Sequence, residues 1–493
     1  MQSIPLTHEA ASRRISLARS TPQAVVMLGL LLTAAVLAIE CWRYLRLDAY
    51  LDHIEGNVVI GGWLWVHDGT PLYATWDGIA KFANYYGPLA YLEPVPALLL
   101  LGPSVMASKV PAILALVATL ALTAWRFRRG ASTAAIQGMF LMVAGFAALS
   151  PMSFWVRPDS FETLLVALAL ATAASPVCVG LCIGLAVNFK IHAFVYFLPI
   201  LWEVWRRHGW RAAPKVMILS LATFLAPFLL PGISFHDYVV PLAEVLAGRK
   251  HVGDALILVL AYATAFALPV VLPLCRRQIG AADRSFAIAA LLTLALTFYP
   301  AAFSGSGPYH FLPLLPVLVE VRKRLAPAGI GAEFAVFPLV FLAAITTHLS
   351  LDQIKERQDW HAFADDALAL AREQPPGTVE IGYGDSWRSY EIVQFAKTVL
   401  SLHDYPRQLD AQLLMELHES GFDGSSRWIP YLTECRIGRW LLPRDEEPFA
   451  VRGYFYDDKG LLFDEAFRAA FAAHYRPVAT RGHFTVWECR DHE

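Results

Sequence analysis

The sequence predicts a polytopic α-helical membrane protein, with about eleven spans, that carries a soluble α/β domain at its C-terminus. Of its 493 residues, 56% are hydrophobic and only 17% are charged, whereas soluble domains carry about 25% charged residues. The long apolar runs all lie in residues 1–350, and residues 351–493 have the composition of an ordinary soluble protein. The net charge of −2 indicates no basic surface, so we expect no nucleic-acid partner.

The spans are predicted from the length of the apolar runs. A membrane-spanning helix needs roughly 17–25 predominantly apolar residues. Eleven segments meet or approach this length, and several of the central ones are short. They are residues 22–41, 104–125, 132–150, 160–175, 176–190, 191–205, 213–231, 254–275, 285–303, 308–321 and 329–349.

The orientation is predicted from the basic residues, because cytoplasmic loops are enriched in Lys and Arg. Three arginines within residues 13–19 place the N-terminus in the cytoplasm. The stretch 160–205 is interpreted as three short spans rather than two. Only three spans put the arginines at 206–211 on the cytoplasmic side, where the rule expects them. The C-terminal tail is then predicted to lie outside.

The first outer loop, residues 42–103, is too long for a plain connection and is rich in Trp and Tyr. Aromatic amphipathic segments outside a membrane tend to lie in the interface. Residues 56–67 and 88–101 are therefore predicted to be helices along the outer membrane surface. Asp52 and Glu55 precede the first helix closely, and are either charges favoured by its N-terminus or catalytic acids.

The tail is long enough for one small domain. Its predicted elements alternate, which suggests a small α/β layer. They are strands near 379–384 and 483–489 and helices near 389–402 and 410–420. The sequence leaves open whether Cys435 and Cys489 form a disulfide, which an extracytoplasmic location would permit.

Several short motifs follow one another in a characteristic order. Residues 52–56 read Asp-His-Ile-Glu-Gly, and residues 86–91 read Tyr-Gly-Pro-Leu-Ala-Tyr. Trp-Val-Arg-Pro-Asp follows at 155–159, a small-residue segment ends in Lys190, and Tyr-His-Phe-Leu-Pro begins at Tyr309. In this order, the set resembles the GT-C superfamily of membrane glycosyltransferases, in particular its protein O-mannosyltransferase and aminoarabinose-transferase group. The resemblance covers about residues 20–350.

Two positions depart from the pattern of that group. Many relatives carry adjacent Asp and Glu in the first loop, whereas here Ile54 precedes Glu55. Many also carry Lys-Pro-Pro where this chain reads Tyr86-Gly-Pro. The first departure makes Glu55 the favoured catalytic acid, with Asp52 as its substitute. The second gives no basis for transferring a donor-binding lysine or a metal ligand from that motif.

The resemblance implies an inverting enzyme that takes a hexose or pentose from a polyprenyl-phosphate donor at the outer face of the membrane. The acceptor hydroxyl attacks the anomeric carbon, and the lipid phosphate leaves. A carboxylate should take the acceptor's proton, a role assigned to Glu55 or Asp52. Cations should stabilise the departing phosphate, a role assigned to Arg157 first and Lys190 second.

Asp159, Tyr86 and His310 complete the implied substrate-binding set. Asp159 is expected to orient Arg157, contact the acceptor or bind a metal, or else simply to form an ion pair with Arg157. His310 is expected to bind phosphate or a metal unless it is only structural. No close-spaced set of His, Asp and Glu residues requires a metal ion. Whether the protein uses a divalent cation is therefore left open, and no other cofactor is expected.

The sugar is not identified, and the acceptor is a lipid, a polysaccharide or a protein. The implied location is a bacterial inner membrane, with the N-terminus cytoplasmic, the tail periplasmic and membrane lipids around the spans. One alternative function is a transporter or lipid flippase, which the sequence disfavours because no matching pair of broken segments is evident in two halves. The other is a noncatalytic scaffold whose tail binds a partner.

Overall fold

The computed structural model describes residues 7–73, 84–128, 132–248, 253–275, 279–303, 305–325, 334–405, 409–418, 425–452 and 460–490. Within these ranges the chain is mostly helical and carries one small sheet. The helices are α1 (Thr7–Arg46), α2 (His53–His67), α3 (Pro88–Leu92), α4 (Val95–Leu101), α5 (Val105–Phe127), α6 (Ser132–Ala148), α7 (Asp159–Ala171), α8 (Pro176–Val187), α9 (Leu198–His208), α10 (Ala212–Leu225), α11 (Phe235–Gly248), α12 (Gly253–Leu274), α13 (Ala281–Ala301), α14 (Leu315–Arg324), α15 (Phe337–Glu356), α16 (Trp360–Ala371), α17 (Trp387–Leu402), α18 (Ala411–His418), α19 (Ile429–Thr433) and α20 (Glu465–His474). The strands are β1 (Val379–Ile381), β2 (Arg439–Pro443), β3 (Tyr475–Arg481) and β4 (Phe484–Cys489).

Six helical segments of the described chain are long and apolar enough to cross a membrane, and each coincides with a predicted span. They are Gln23–Arg46, Val105–Phe127, Ala212–Leu229, Ala255–Leu274, Ala281–Ala301 and Phe334–Ala371. The other five predicted spans fall on α6, α7, α8, α9 and α14, which have 17 residues or fewer. The membrane-spanning helical fold is thus confirmed, whereas the count of eleven stays a prediction.

The C-terminal ends of α5, α9 and α14 come together at one end of the helical bundle. Glu320 accepts from Arg126 at 2.8 Å and from Arg324 at 3.0 Å. Arg324 also reaches Glu203 at 3.4 Å, and Glu203 pairs with Arg206 and Arg207 of its own helix. We call these four arginines and two glutamates the arginine network. Three basic helix ends therefore share one side, as the three-span interpretation of residues 160–205 requires.

Three of the helices begin in the same way. A 3₁₀ turn precedes each of α9, α14 and α15, and the second residue of each helix is proline. Proline suits this position because the first helical N–H groups have no intrahelical partner. The turns Ile191–Phe197 and Pro308–Leu314 are alike in length, at seven residues each. They bring His192 Nε2 to 3.2 Å from His310 Nδ1.

Both helices predicted in the first outer loop are present, as α2 and as α3 with α4. Residues Ile54 to Leu64 of α2 are almost all buried, and this helix packs against α17 of the tail. A Cβ on Gly56 would lie 2.2 Å from Thr398 Oγ1, so only glycine permits this close approach. Protein therefore covers α2 where a membrane surface was expected, whereas α4 exposes Leu99 to Leu101.

The tail contains a four-stranded sheet in the order β1-β2-β4-β3. β1 runs parallel to β2, and the other two neighbouring pairs are antiparallel. The predicted tail elements coincide with β1, β4, α17 and α18, while β2 and β3 were not predicted. Cys435 and Cys489 form a disulfide, with Cα atoms 5.9 Å apart. α15 continues past the predicted domain boundary at residue 350 to Glu356.

Candidate active site

Glu55 is enclosed by hydrogen-bond donors at the start of α2. Its Oε1 accepts from the backbone N–H groups of Leu51 at 2.8 Å and Asp52 at 2.9 Å. Its Oε2 accepts from the backbone N–H of Val156 at 2.9 Å and from the hydroxyl of Tyr44. Because an ionised carboxylate offers about four acceptor positions, Glu55 is fully occupied. Burial raises the pKa of Glu55, although the hydrogen bonds of Tyr44 and Val156 act against it.

Lys109 fixes the end of α1 from which Tyr44 reaches Glu55. Its ammonium group is fully buried and donates to the carbonyls of Tyr44, Leu47 and Ala49, at 2.9, 2.6 and 2.6 Å. The last carbonyls of a helix lack intrahelical partners, and here the lysine supplies one. Lys109 and Glu55 thus hold α1, α2 and the segment before α7 together.

Asp52 is the N-cap of α2 and also faces open space. Its Oδ1 accepts from the backbone N–H of Ile54 at 2.8 Å, and its Oδ2 lies 2.8 Å from Arg157 Nη1. Its side chain is 16% exposed, whereas Glu55 is completely buried. Burial acts to raise the pKa of Asp52, but the charges of His53 and Arg157 and the bond from Ile54 outweigh it, so the pKa lies below its ordinary value.

Arg157 lies between two aromatic rings. Its guanidinium carbon is 4.3 Å from the centre of the Trp155 ring and 4.7 Å from that of Tyr309. Besides Asp52, it donates to the Tyr86 hydroxyl at 2.9 Å. Burial raises the pKa of Tyr86 to about 12 despite the nearby cations, so the phenol keeps its proton. Among the described residues, the buried Nε–H of Arg157 has no hydrogen-bond partner.

Asp159 forms its ion pair with Lys190. An ion pair with Arg157, one of the alternatives for Asp159, is not found among the described residues, where Arg157 pairs with Asp52. The Lys190 ammonium also lies 4.0 Å from Glu162 Oε2 and 5.1 Å from the ring centre of Tyr309. Asp159 and Lys190 thus form a second, deeper charged pair beside the first.

Two adjoining cavities meet at Arg157. The smaller, of about 80 Å³, is lined by Tyr86, Lys190, His192 and His310 and by apolar residues of α11. The larger, of about 400 Å³, opens beside Asp52 and is lined from the tail side by residues of α15 and α17. Arg157 and Tyr309 line both cavities, together with Ile54, Gly305 and Ser306. Glu55 lines neither.

The site contains more buried acid than base. Glu93 is a half-buried residue whose carboxylate oxygens are both buried, and in the described chain neither oxygen has a hydrogen-bond partner. Burial, with the charges of Asp159 and Glu162, raises the pKa of Glu93 well above its ordinary value, against the effect of Lys190. In the same described ranges, no group of three His, Cys, Asp or Glu side chains is arranged to hold a metal ion.

All seven predicted site residues therefore gather in one region, and they come from five separate stretches of sequence. The fold built around them can be compared with known structures. The chain has the fold of ArnT. A crystal structure of ArnT from Cupriavidus metallidurans bound to undecaprenyl phosphate matches with a TM-score of 0.57 and 13% identity, over 93% of this chain and 97% of that one.

The apo state of the same ArnT matches with a TM-score of 0.55 and 13% identity, over 93% of this chain and 98% of that one. At 13% identity the two matches show the fold, and this is the fold that the sequence resemblance predicted. A comparison with family models finds no match, and neither does one with curated protein sequences.

Several residues that line the two cavities were not predicted. His192 follows Lys190 by two positions, and the repeated 3₁₀ entry shared with His310 is the signal that would have found it. Arg357, Trp387 and Glu391 reach the larger cavity from the tail side. Their distance along the sequence from Asp52 is so large that no local motif connects them to the site.

Proposed function

We propose that this protein is a glycosyltransferase that moves a sugar from a polyprenyl-phosphate donor to an acceptor hydroxyl at the outer face of a membrane. The observation that carries the proposal is the position of Arg157. Its guanidinium joins two cavities, with Lys190 lining the smaller one and Asp52 the larger. The fold of ArnT, whose crystal structure holds undecaprenyl phosphate, supports a lipid phosphate as the ligand.

The smaller cavity suits the phosphate end of the donor. Arg157 and Lys190 supply two positive charges, and the unpartnered Nε–H of Arg157 is a donor available to a phosphate oxygen. A guanidinium holds phosphate oxygens in a fork geometry. On the other side Leu242, Val245 and Leu246 present an apolar wall, which suits the first isoprene units of the lipid. Tyr86 holds the guanidinium from a third direction.

The reaction then proceeds across Arg157. An acceptor hydroxyl in the larger cavity attacks the anomeric carbon, and its proton passes to a carboxylate oxygen of Asp52. The bond between the anomeric carbon and the phosphate oxygen breaks, and the phosphate leaves towards Arg157 and Lys190. Because nucleophile and leaving group occupy different cavities on opposite sides of the sugar, the configuration inverts. Proton transfer and charge stabilisation are both expected to contribute.

We assign the proton-accepting role to Asp52 rather than to Glu55. Asp52 is ionised at neutral pH because its pKa is lowered, and it lies at the wall of the larger cavity. Glu55 has four hydrogen-bond donors and lines no cavity. Its function is positional, because it holds the backbone of Asp52 against that of Val156, next to Arg157.

The tail is proposed to select the acceptor. Arg357 donates to Glu391 at 2.9 Å, and both residues line the larger cavity with Trp387. Burial raises the pKa of Glu391, although Arg357 acts against this shift. An aromatic ring beside a charged pair suits a polar acceptor with a flat apolar face, as in a sugar ring. The class of the acceptor, whether lipid, polysaccharide or protein, depends on this wall.

The location is part of the proposal. Disulfides persist in oxidising compartments, so the Cys435–Cys489 disulfide supports a tail outside the cytoplasm. The positive charges at the opposite end of the bundle support the same orientation. We place the protein in a bacterial inner membrane with its tail in the periplasm.

The test is a transfer assay with the purified full chain in detergent. Radiolabelled undecaprenyl-phosphate hexoses and pentoses are offered together with a membrane extract as the source of acceptors. We expect the wild type to consume one donor and release undecaprenyl phosphate, and Arg157→Ala to abolish this release. Arg372→Ala is the matched control, because Arg372 is exposed on the tail and lines neither cavity.

Two outcomes would contradict the proposal. If the wild type consumes no donor but binds the lipid and moves it across a vesicle membrane, the protein is a flippase. If Arg157→Ala retains full transfer activity, the glycosyltransferase class survives and the assigned phosphate site fails.

A further inference from the structure

A large apolar groove lies away from the proposed active site. It has a volume of about 740 Å³ and runs between α8, α9 and α10. Its walls are almost entirely apolar and include Trp202, Trp205, Trp210 and Met217. Trp210 and Met217 are largely exposed, so the part of the chain that the structure describes does not cover the groove.

One end of this groove is strongly basic. The turn between α9 and α10 closes it, and Arg206 and Arg207 lie between the groove-lining residues Trp205 and Trp210. Arg211 and Lys215 alternate with groove-lining residues at the start of α10, and both are exposed. Within the described chain, neither Arg211 nor Lys215 forms an ion pair.

The charges at this end do not cancel. The arginine network joins four arginines to two glutamates, and Asp283 also acts on Arg206. Arg211 and Lys215 have no such carboxylate partner among the described residues. Two exposed cations outside the arginine network therefore flank the apolar groove at one end of the helical bundle. This is the complement of an anionic headgroup attached to an acyl chain.

We infer that the groove binds one anionic glycerophospholipid, with an acyl chain between α9 and α10 and its phosphate at Arg211 and Lys215. Basic pockets between spanning helices on the cytoplasmic side attract anionic headgroups, and each nearby Lys or Arg contributes about 1 kcal/mol. The basic residues lie on the side that their own enrichment predicts to be cytoplasmic. The site is thus at the opposite end of the bundle from the two cavities around Arg157.

The bound lipid would fill a space between helices of the bundle. α10 packs closely on α8, where a Cβ on Gly184 would lie 2.5 Å from the Ser220 carbonyl oxygen. α9 diverges from this pair and leaves the groove open. An acyl chain in the groove would fill the space between α9 and α10, so the lipid should stabilise the helices that carry His192 and Lys190 at their far ends.

The experiment measures lipid binding by the full chain directly. The protein is purified in mild detergent, stripped of lipid, and titrated with phosphatidylglycerol or phosphatidylcholine while native mass spectrometry counts bound molecules. We expect one tightly bound phosphatidylglycerol and no comparable phosphatidylcholine. Arg211→Gln with Lys215→Gln should weaken binding about 30-fold, since 1 kcal/mol for each charge corresponds to a factor of about five.

Two further variants separate the groove from general surface charge. Ala213→Trp places a bulky ring in the groove, where Ala213 lines it and is exposed, and should abolish the tight site. Arg128→Gln with Lys323→Gln removes two basic residues at the ends of α5 and α14, outside the groove lining, and should leave it intact. Thermal unfolding and size-exclusion chromatography establish that each variant is folded.

Several results would overturn the inference. Equal affinity for the two phospholipids, unchanged binding in Ala213→Trp, or equal loss in the Arg128/Lys323 control would each do so. Retention of undecaprenyl phosphate in place of phosphatidylglycerol, lost in Ala213→Trp, would assign the groove to the donor lipid instead. If the substituted chains do not fold, the comparison of the two phospholipids on the wild type alone decides.

Discussion

The substitution Asp52→Asn tests which of the two acids accepts the proton. Asparagine keeps an oxygen that can accept from the Ile54 N–H, and it is as good an N-cap as aspartate, so α2 should still begin at His53. The carboxylate is lost, and with it the group that takes the acceptor's proton. Removing a general base typically lowers the rate by about 10²- to 10⁴-fold, which is about 3–5 kcal/mol in the barrier.

The structure also indicates how much stability the substitution removes. The ion pair with Arg157 is lost, but Arg157 keeps Tyr86 and the two rings that enclose it. A single lost charge-assisted hydrogen bond costs about 1–3 kcal/mol. The pKa of Asp52 is lowered in the folded protein. Its carboxylate therefore contributes fully to stability above the pKa of the unfolded state, and this contribution disappears only as the pH falls through the pKa of the folded state. The stability difference from wild type should therefore be constant from about pH 5 to pH 8.

The assay is donor consumption at saturating substrate, followed by a rescue experiment. Asp52→Gly also keeps the helix start, since glycine costs only a few tenths of a kcal/mol at an N-cap, and it leaves space for a small carboxylate. Added formate should restore part of the lost rate in Asp52→Gly but not in the wild type. If Asp52→Asn keeps more than a tenth of the wild-type kcat, or if formate restores nothing, Asp52 is not the base.

Four other substitutions test the surrounding network. Arg157→Lys keeps the charge but loses the fork geometry, so kcat should fall about 100-fold; a change in KM alone would exclude a role in the departing phosphate. Glu55→Gln points an amide N–H₂ at backbone donors and should cost about 2–4 kcal/mol in thermal unfolding, whereas a large kcat loss without destabilisation would restore Glu55 as the base. Lys109→Met leaves three buried carbonyls without their donor. It should therefore lower the unfolding temperature and have little effect on KM, and an unchanged unfolding temperature would contradict this. The pKa of Glu93 is raised in the folded protein. The protonated carboxyl therefore contributes to stability at low pH, and this contribution is lost as the pH rises through the pKa of the folded state. Glu93→Gln should therefore unfold like wild type at pH 5 and at a higher temperature at pH 9, and equal behaviour at both would refute the shift.

The positions of the long apolar helices could be predicted because hydropathy is a local property. Six of the eleven predicted segments coincide with helices long enough to span a membrane, since each run of about 20 apolar residues must satisfy its own backbone hydrogen bonds. The boundaries of the short central helices were harder, because proline and 3₁₀ turns interrupt the runs. The tail strands β2 and β3 were missed, because their pairing depends on partners distant in sequence.

The site residues divide in the same way. Asp52, Arg157, Lys190 and His310 were identified from short motifs whose order resembles that of the GT-C superfamily. The pairing among them was not predictable. Whether Asp159 pairs with Arg157 or with Lys190 depends on how the segment before α7 faces the end of α8, and that packing is set by the whole bundle.

The sequence by itself determined that this is a membrane protein whose first long loop is rich in acids and aromatics, because composition and the period of apolar residues act locally. Only the tertiary structure decided which acid faces a cavity. Glu55 is surrounded by Tyr44 and Val156, two residues from other parts of the chain, whereas Asp52 faces the space beneath the tail. Two carboxylates three residues apart have the same local sequence context, and their different burial comes from the elements that fold against them.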